Sequence, residues 1–263
     1  MRIPLSASVV PLTDAERARY ARNVAIPEVG EAGQQRLRAA NVCVIGAGGL
    51  GSPVLAYLAA AGVGRLTVID HDDVEEHNLQ RQVLHDMARV GHAKALSARD
   101  RLVALNPGVA VRPVVGKLDA ESASTLLAGH DIVVDATDNL ATRFAIDDAC
   151  AELGVPLVWG AVQSTIGQVS VFWHAHGPCL RDLVPADAVP LATIDSVGAF
   201  GPMVGVIGSA MAVEIVKVIT GAGEPLFGRV LLVDTLAGRT SEVPLRTARV
   251  VAPLPRDVVG DAS

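Results

Sequence analysis

The sequence predicts an α/β fold: a Rossmann-like, mainly parallel sheet with helices on both faces, extended by C-terminal antiparallel strands. Three observations predict it. Short apolar runs alternate with Ala- and Leu-rich segments of helical period from residue 41 to residue 162. Such a rhythm implies right-handed crossovers and a sheet covered on both faces. The turn "GAGGLG" (46–51) joins the first run to the first such segment. After residue 162 the rhythm stops, and "GRVLLVDTLAGRTSEVPL" (228–245) reads as a hairpin.

The elements follow in order. Residues 13–40 are expected to be helical, with Thr13 or Asp14 as N-cap. "NVCVIG" (41–46) is the first strand, "LGSPVLAYLAAAG" (50–62) a helix stopped by Gly62, and "RLTVID" (65–70) the second strand. Then come a helix over 91–107 closed by Asn106-Pro107, a strand over 109–115, a helix over 120–129 and a strand over 131–137. A helix over 140–154 and a strand over 156–162 complete the parallel part. "GQVSVFWH" (167–174) alternates as a solvent-edged strand would, and 175–200 is a Pro- and Gly-rich connection. "GPMVGVIGSAMAVEIVKVITG" (201–221) is an apolar helix. No repeat and no linker long enough to divide the chain is present, so a single domain over 1–263 is expected.

Composition narrows the function. Half of the residues are hydrophobic but only 3% are aromatic, so the core is built from Ala, Val, Leu and Ile. A net charge of −6 argues against a nucleic-acid binder. The apolar stretch from Val197 to Val213 is shorter than the roughly 20 residues of a membrane span, and Glu214 and Lys217 follow it. No membrane association is expected. Cys43, Cys150 and Cys179 are an odd and scattered set, which points to a reducing cytoplasm rather than a disulfide framework. The Pro-containing start reads as a poor signal peptide. Lysine is scarce, with Lys94, Lys117 and Lys217 the three in the chain.

The chemistry is expected at the carboxyl ends of the strands, where doubly wound sheets bind ligands. Gly46, Gly48 and Gly51 match G-x-G-x-x-G, a turn that brings backbone N–H groups and a helix N-terminus to a phosphate. Asp70 lies about 20 residues further on, where an acidic side chain binds ribose hydroxyls. The fingerprint specifies a nucleotide without saying which. Hydride transfer needs no cationic cluster, whereas a nucleoside triphosphate does. "HNLQRQ" (77–82) offers Asn78, Leu79, Gln80, Arg81 and Gln82 as a polar hand, and Lys94 follows. "ATDN" (136–139) ends the fourth strand and delivers Asp138, a candidate Mg²⁺ ligand. His71, His77, His85 and His92 show no metal-ligand spacing and read as polar loop and surface residues.

In order and spacing, "RYARN", "GAGGLGS", "VIDHDDVEEHNLQRQ", "VGHAKALSARDRLVALNP", "DATDN" and "GPMVGVIGSAMAVEIVK" resemble the MoeB/ThiF/HesA family, bacterial relatives of the ubiquitin-activating enzymes. The resemblance covers residues 17–245 and leaves 246–263 as a loose tail. It implies a homodimeric, ATP- and Mg²⁺-dependent adenylyltransferase. Its partner would be a small β-grasp sulfur-carrier protein, or a peptide, ending in Gly. The activated carboxylate would pass to a separate sulfur donor or an amine. The resemblance sets Gly49 against the nucleotide and Asp70 on the ribose. Asn78 and Arg81 contact the nucleotide and its phosphates, Lys94 the phosphates, and Asp138 the Mg²⁺ with Asn139 beside it. Arg22 matches an Arg that reaches across the dimer into the partner's site.

Two motifs of that family are broken. Its structural zinc uses two C-x-x-C pairs. Here the first pair is Cys179 with Asp182, and 246–263 contains no Cys, so no such zinc is expected. Cys179 is then an orphan thiol. A loop Cys that can link covalently to the carrier falls at Ile194, so no covalent step through that position is expected. Two other functions compete: a catalytically silent partner subunit, and a nicotinamide-dependent oxidoreductase. The second leaves "NLQRQ", Lys94 and "ATDN" unused.

Overall fold

In the computed structural model, residues 9–185 and 198–247 are described. One eight-stranded sheet has the order β3-β2-β1-β4-β5-β6-β7-β8. Its strands are β1 (Asn41–Ile45), β2 (Arg65–Asp70), β3 (Ala110–Val115), β4 (Ile132–Asp135), β5 (Leu157–Gln163), β6 (Ile166–Phe172), β7 (Arg229–Asp234) and β8 (Arg239–Pro244). Strands β1 to β5 pair in parallel, and β5 to β8 pair antiparallel. The predicted fold class therefore stands. Chain order runs outward from β1 in one direction and from β4 in the other, so the crevice between their carboxyl ends is the topological switch point.

The helices are α1 (Asp14–Arg19), α2 (Ala21–Val24), α3 (Gly30–Ala39), α4 (Gly51–Ala61), α5 (Lys94–Leu105), α6 (Ala123–Leu127), α7 (Leu140–Leu153), α8 (Leu180–Leu183) and α9 (Gly201–Thr220). Residues from α3, α4, α5 and α9 build one apolar core against the sheet, and α6, α7 and α8 build the other. Helix α9 is long and apolar enough to cross a membrane. In the fold it packs along α4, α3, β5 and β6. Its Glu214 accepts the Leu226 N–H at 2.8 Å and pairs with Lys217, which spends that lysine on the scaffold.

Two expectations need correction. The helix over 13–40 is three pieces. Thr13 starts it with a reciprocal capping box to Glu16, but Tyr20 leaves helical geometry and Pro27 disfavours the helical region at Ile26. Strand β6 is interior, not solvent-edged. It lies between β5 and β7, and Val169, Ser170, Val171 and Phe172 are all buried. Its alternation separates two cores rather than core from water. The position of Ile194 and the tail beyond residue 247 lie outside the described residues.

Tyr20 explains how the N-terminal pieces are held. It is buried, and its hydroxyl accepts from Asn106 Nδ2 at 2.8 Å. Its ring lies against Gly62, which ends α4 with φ +84°; a Cβ there would fall 2.5 Å from the ring. Gly62→Ala should therefore cost about 1–3 kcal/mol from the backbone strain alone. Urea unfolding should show a lower midpoint at unchanged slope, and an unchanged midpoint would show that the contact is slack.

Candidate functional site

The carboxyl ends of β1, β2 and β4 open into a cavity of about 330 Å³. The glycine turn forms its floor. Gly46 has φ +97°, and a Cβ there would meet the Ala136 carbonyl at 2.8 Å, so loop and β4 approach as closely as glycine permits. A Cβ on Gly51 would strike the Gly46 carbonyl, so this glycine closes the turn rather than lining the cavity. Gly46, Gly48 and Gly49 do line it.

Asp70 braces the turn. Its buried carboxylate accepts the Ala47 N–H at 2.7 Å on one oxygen and the Asp72 N–H at 2.8 Å on the other. The Ala47 carbonyl is held in turn by His85 Nε2 at 2.8 Å, while His85 Nδ1 meets the Ser97 hydroxyl at 2.8 Å. A carbonyl can only accept, so Nε2 carries the proton, and burial lowers the His85 pKa, which favours the neutral imidazole with Nδ1 accepting from the Ser97 hydroxyl. His85 is thus buried and structural, not a surface residue as expected.

The cationic wall is larger than expected. Arg81, Lys94, Lys117 and Arg143 all line the cavity. Lys94 begins α5 with a side chain 6% exposed, and its Nζ pairs with Asp72 at 2.9 Å. Burial alone would push the Asp72 carboxyl up, but the hydrogen bond and charge of Lys94 outweigh it and hold it below the ordinary value. Asn78 is buried and accepts from Arg81 at 3.2 Å and from Gln82 at 3.0 Å, so it orients both side chains. Gln82 lines the cavity; Leu79 and Gln80 do not. The Gln80 carbonyl instead sits against Gly201, where a Cβ would fall 2.5 Å away.

The β4 edge supplies the acidic group. Asp138 is exposed on the cavity wall. Asn139 lines the cavity too, and also caps α7 by accepting the Thr142 N–H at 3.1 Å. The fully buried Asp135 accepts the Thr137 N–H at 2.9 Å and its hydroxyl at 2.6 Å. Arg143 donates to the Thr137 carbonyl at 2.5 Å and lies 3.8 Å from Asp135. Burial raises the Asp135 carboxyl, with Arg143 opposing. Sequence reasoning missed Arg143, whose signal was its place in the first turn of the helix after "ATDN". Lys117 was noticed for scarcity but not placed. Arg22 is exposed on α2 and does not line this chain's cavity.

A doubly wound sheet with a glycine turn, a braced acidic residue and a cationic wall at its switch point defines a nucleotide-binding α/β protein. The comparisons name the family: the chain belongs to the ThiF family, whose model matches residues 20–252. A sulfur carrier protein adenylyltransferase of Thermus thermophilus is 47% identical over 241 residues, 89% of each chain. The probable adenylyltransferase/sulfurtransferase MoeZ of Mycobacterium tuberculosis is 45% identical over 239 residues, and the match spans 89% of this chain but 61% of MoeZ. Among solved structures, E. coli MccB with ATP superposes with a TM-score of 0.78 at 21% identity, over 90% of this chain and 74% of that one. PaaA gives 0.76 at 23%, over 91% and 76%. These two likenesses speak to the fold.

His85 yields a pH prediction. Burial lowers its pKa from 6.5; Lys94 acts in the same direction, while the Ala47 carbonyl, Asp70 and Asp86 oppose it. A group whose folded pKa is depressed stabilises fully above its unfolded value, and the effect is lost as pH falls through the folded value. Stability should therefore fall as pH drops below 6.5. His85→Gln should flatten that slope, measured as thermal midpoint against pH. An unchanged slope would assign it elsewhere, for instance to His130, which burial also lowers.

Proposed function

We propose that this chain is an ATP-dependent adenylyltransferase that activates the C-terminal glycine of a small β-grasp sulfur-carrier protein, or of a peptide. A carboxylate oxygen attacks the α-phosphorus, the bond from that phosphorus to the departing pyrophosphate breaks, and an acyl-adenylate forms. The observation that carries this reading is the wall of Arg81, Lys94, Lys117 and Arg143 around a cavity floored by a glycine turn. So many cations suit a triphosphate and have no task in hydride transfer, which disfavours the oxidoreductase. A silent partner subunit would have no use for them either.

Each residue then has a part. Backbone N–H groups of Gly48 and Gly49 hold phosphate oxygens. Asp70 keeps free lone pairs on both oxygens for ribose hydroxyls. Arg81, oriented by Asn78, and Lys94 act on the negative charge that develops as pyrophosphate leaves. Asp138 fits Mg²⁺, which takes one or two protein carboxylates beside phosphate oxygens and neutralises phosphate charge when bound. Lys94 reaches phosphate by leaving Asp72, its half-exposed counterion. The proposed enzyme is a cytoplasmic homodimer, with Arg22 of each subunit entering the partner's cavity. The acyl group passes to a separate sulfur donor or an amine, and neither nucleic acid nor membrane takes part.

ATP–pyrophosphate exchange against a panel of carriers ending in Gly-Gly tests the reaction; no exchange with any carrier would count against it. Asp138→Asn should raise the Mg²⁺ concentration needed for half-maximal exchange. Arg81→Ala and Arg22→Ala should each lower the rate by about 10²–10³ with a smaller effect on ATP affinity. Mixed dimers of the two variants rebuild one site with both arginines. They should regain up to about half the activity, if each site acts alone. No regain despite demonstrated subunit exchange would remove Arg22 from the partner's site.

A further inference from the structure

We infer that Asp147, His174 and Cys179 form a binding site for a thiophilic divalent cation, zinc above all, on the sheet face opposite α4 and α9. The three come from separate places: Asp147 from α7, His174 from just beyond β6, and Cys179 from the N-cap of α8. One ligand atom from each lies within 4.8 Å of the others. None of them lines the nucleotide cavity.

Asp147 points to a ligand independently of that clustering. It is fully buried. One oxygen accepts from His174 Nε2 at 3.0 Å and from the Leu180 N–H at 3.4 Å. The other oxygen is buried and has no hydrogen-bond partner among the described residues. A carboxylate with an orphan oxygen in the core is costly, and a cation beside it removes that cost. Cys179 and His174 are the groups placed to share such an ion.

The donor set selects the ion. Thiolate, imidazole and carboxylate together suit Zn²⁺, whereas Mg²⁺ and Ca²⁺ avoid sulfur. Three protein ligands leave a fourth position for water. Binding takes Cys179 as thiolate, which releases its proton to solvent, and His174 as neutral imidazole with its proton on the ring nitrogen that does not face the ion. The ion's two positive charges then balance one thiolate and one carboxylate. The ion would tie α7 to the β6–α8 connection, a structural task that does not depend on the proposed adenylation. Neither Asp147 nor His174 belongs to the broken C-x-x-C pattern. The expectation of no zinc therefore narrows to the absence of a four-cysteine site.

The test uses the full chain, stripped with chelator and titrated with Co²⁺ and then Zn²⁺. About one equivalent of Co²⁺ should bind, with a thiolate-to-cobalt charge-transfer band and tetrahedral d–d absorption, and Zn²⁺ should displace it. Cys179→Ser should abolish the band. Asp147→Asn should weaken binding by more than the 10–100-fold typical of losing an outer-shell partner. His174→Gln serves as a second ligand variant, with circular dichroism checking the fold of each. Absence of the band in the wild-type chain, a band that survives Cys179→Ser, or affinity unchanged in folded Asp147→Asn and His174→Gln would each overturn the site.

Discussion

The Asp70 carboxylate is the interaction on which the cavity depends. It ends β2 beside β1 and takes a backbone N–H on each oxygen, from Ala47 and from Asp72. Two branches leave it. Through Ala47 it fixes the glycine turn, and His85 extends that branch to Ser97 on α5. Through Asp72 it fixes the counterion of Lys94, at the first turn of the same helix. Turn, cation and helix are therefore set by one buried group. The bracing role and the proposed ribose contact do not compete, because each carboxylate oxygen has a second lone pair.

Much of this was legible in the sequence, for a physical reason. A parallel sheet puts every strand's carboxyl end on one edge, so residues following β1, β2 and β4 had to meet there. That placed Gly46, Gly48, Gly49, Asp70 and Asp138 without knowledge of any contact, and Arg81, Gln82 and Lys94 followed. Side-chain direction inside an irregular loop was not legible. Leu79 and Gln80 share the polar stretch of Arg81 but do not line the cavity, and the Gln80 carbonyl faces Gly201 on a helix far along the chain. Long-range pairing was equally hidden. Nothing near His174 in sequence announces Asp147, which sits 27 residues earlier. The buried His85 was misread because its partners, Ala47 and Ser97, lie on other elements.

The break after α2 was legible and overlooked. Pro27 signals it, yet the Arg- and Ala-rich pattern over 13–40 outweighed a single proline. The cost of the interruption is offset by tertiary contacts. Tyr20 is buried against Gly62, Asn106 holds its hydroxyl, and Arg38 pairs with Glu16 at 2.6 Å across the break. The short segment that carries Arg22 is thereby anchored at Tyr20 while Arg22 itself stays exposed. A rigid base under an exposed cation suits a group proposed to act on a second subunit.

Charge placement separates the functional readings more sharply than the fold does. The chain is acidic overall, at −6, yet its cavity gathers Arg81, Lys94, Lys117 and Arg143. Lysine is scarce in the chain, and two of its three lysines stand at this wall. An ammonium as buried as Lys94 needs a counterion, and Asp72 supplies one while staying half exposed itself. The pair is asymmetric: Asp72 can return to water at little cost, and Lys94 cannot. An incoming phosphate can replace Asp72 without leaving a buried charge unpaired, so exchanging partners costs less than breaking a fully buried ion pair would. A nicotinamide cofactor brings no terminal phosphate to make that exchange at the same place. The Lys94–Asp72 arrangement thus favours a polyphosphate ligand on electrostatic grounds that neither the glycine turn nor the fold could supply.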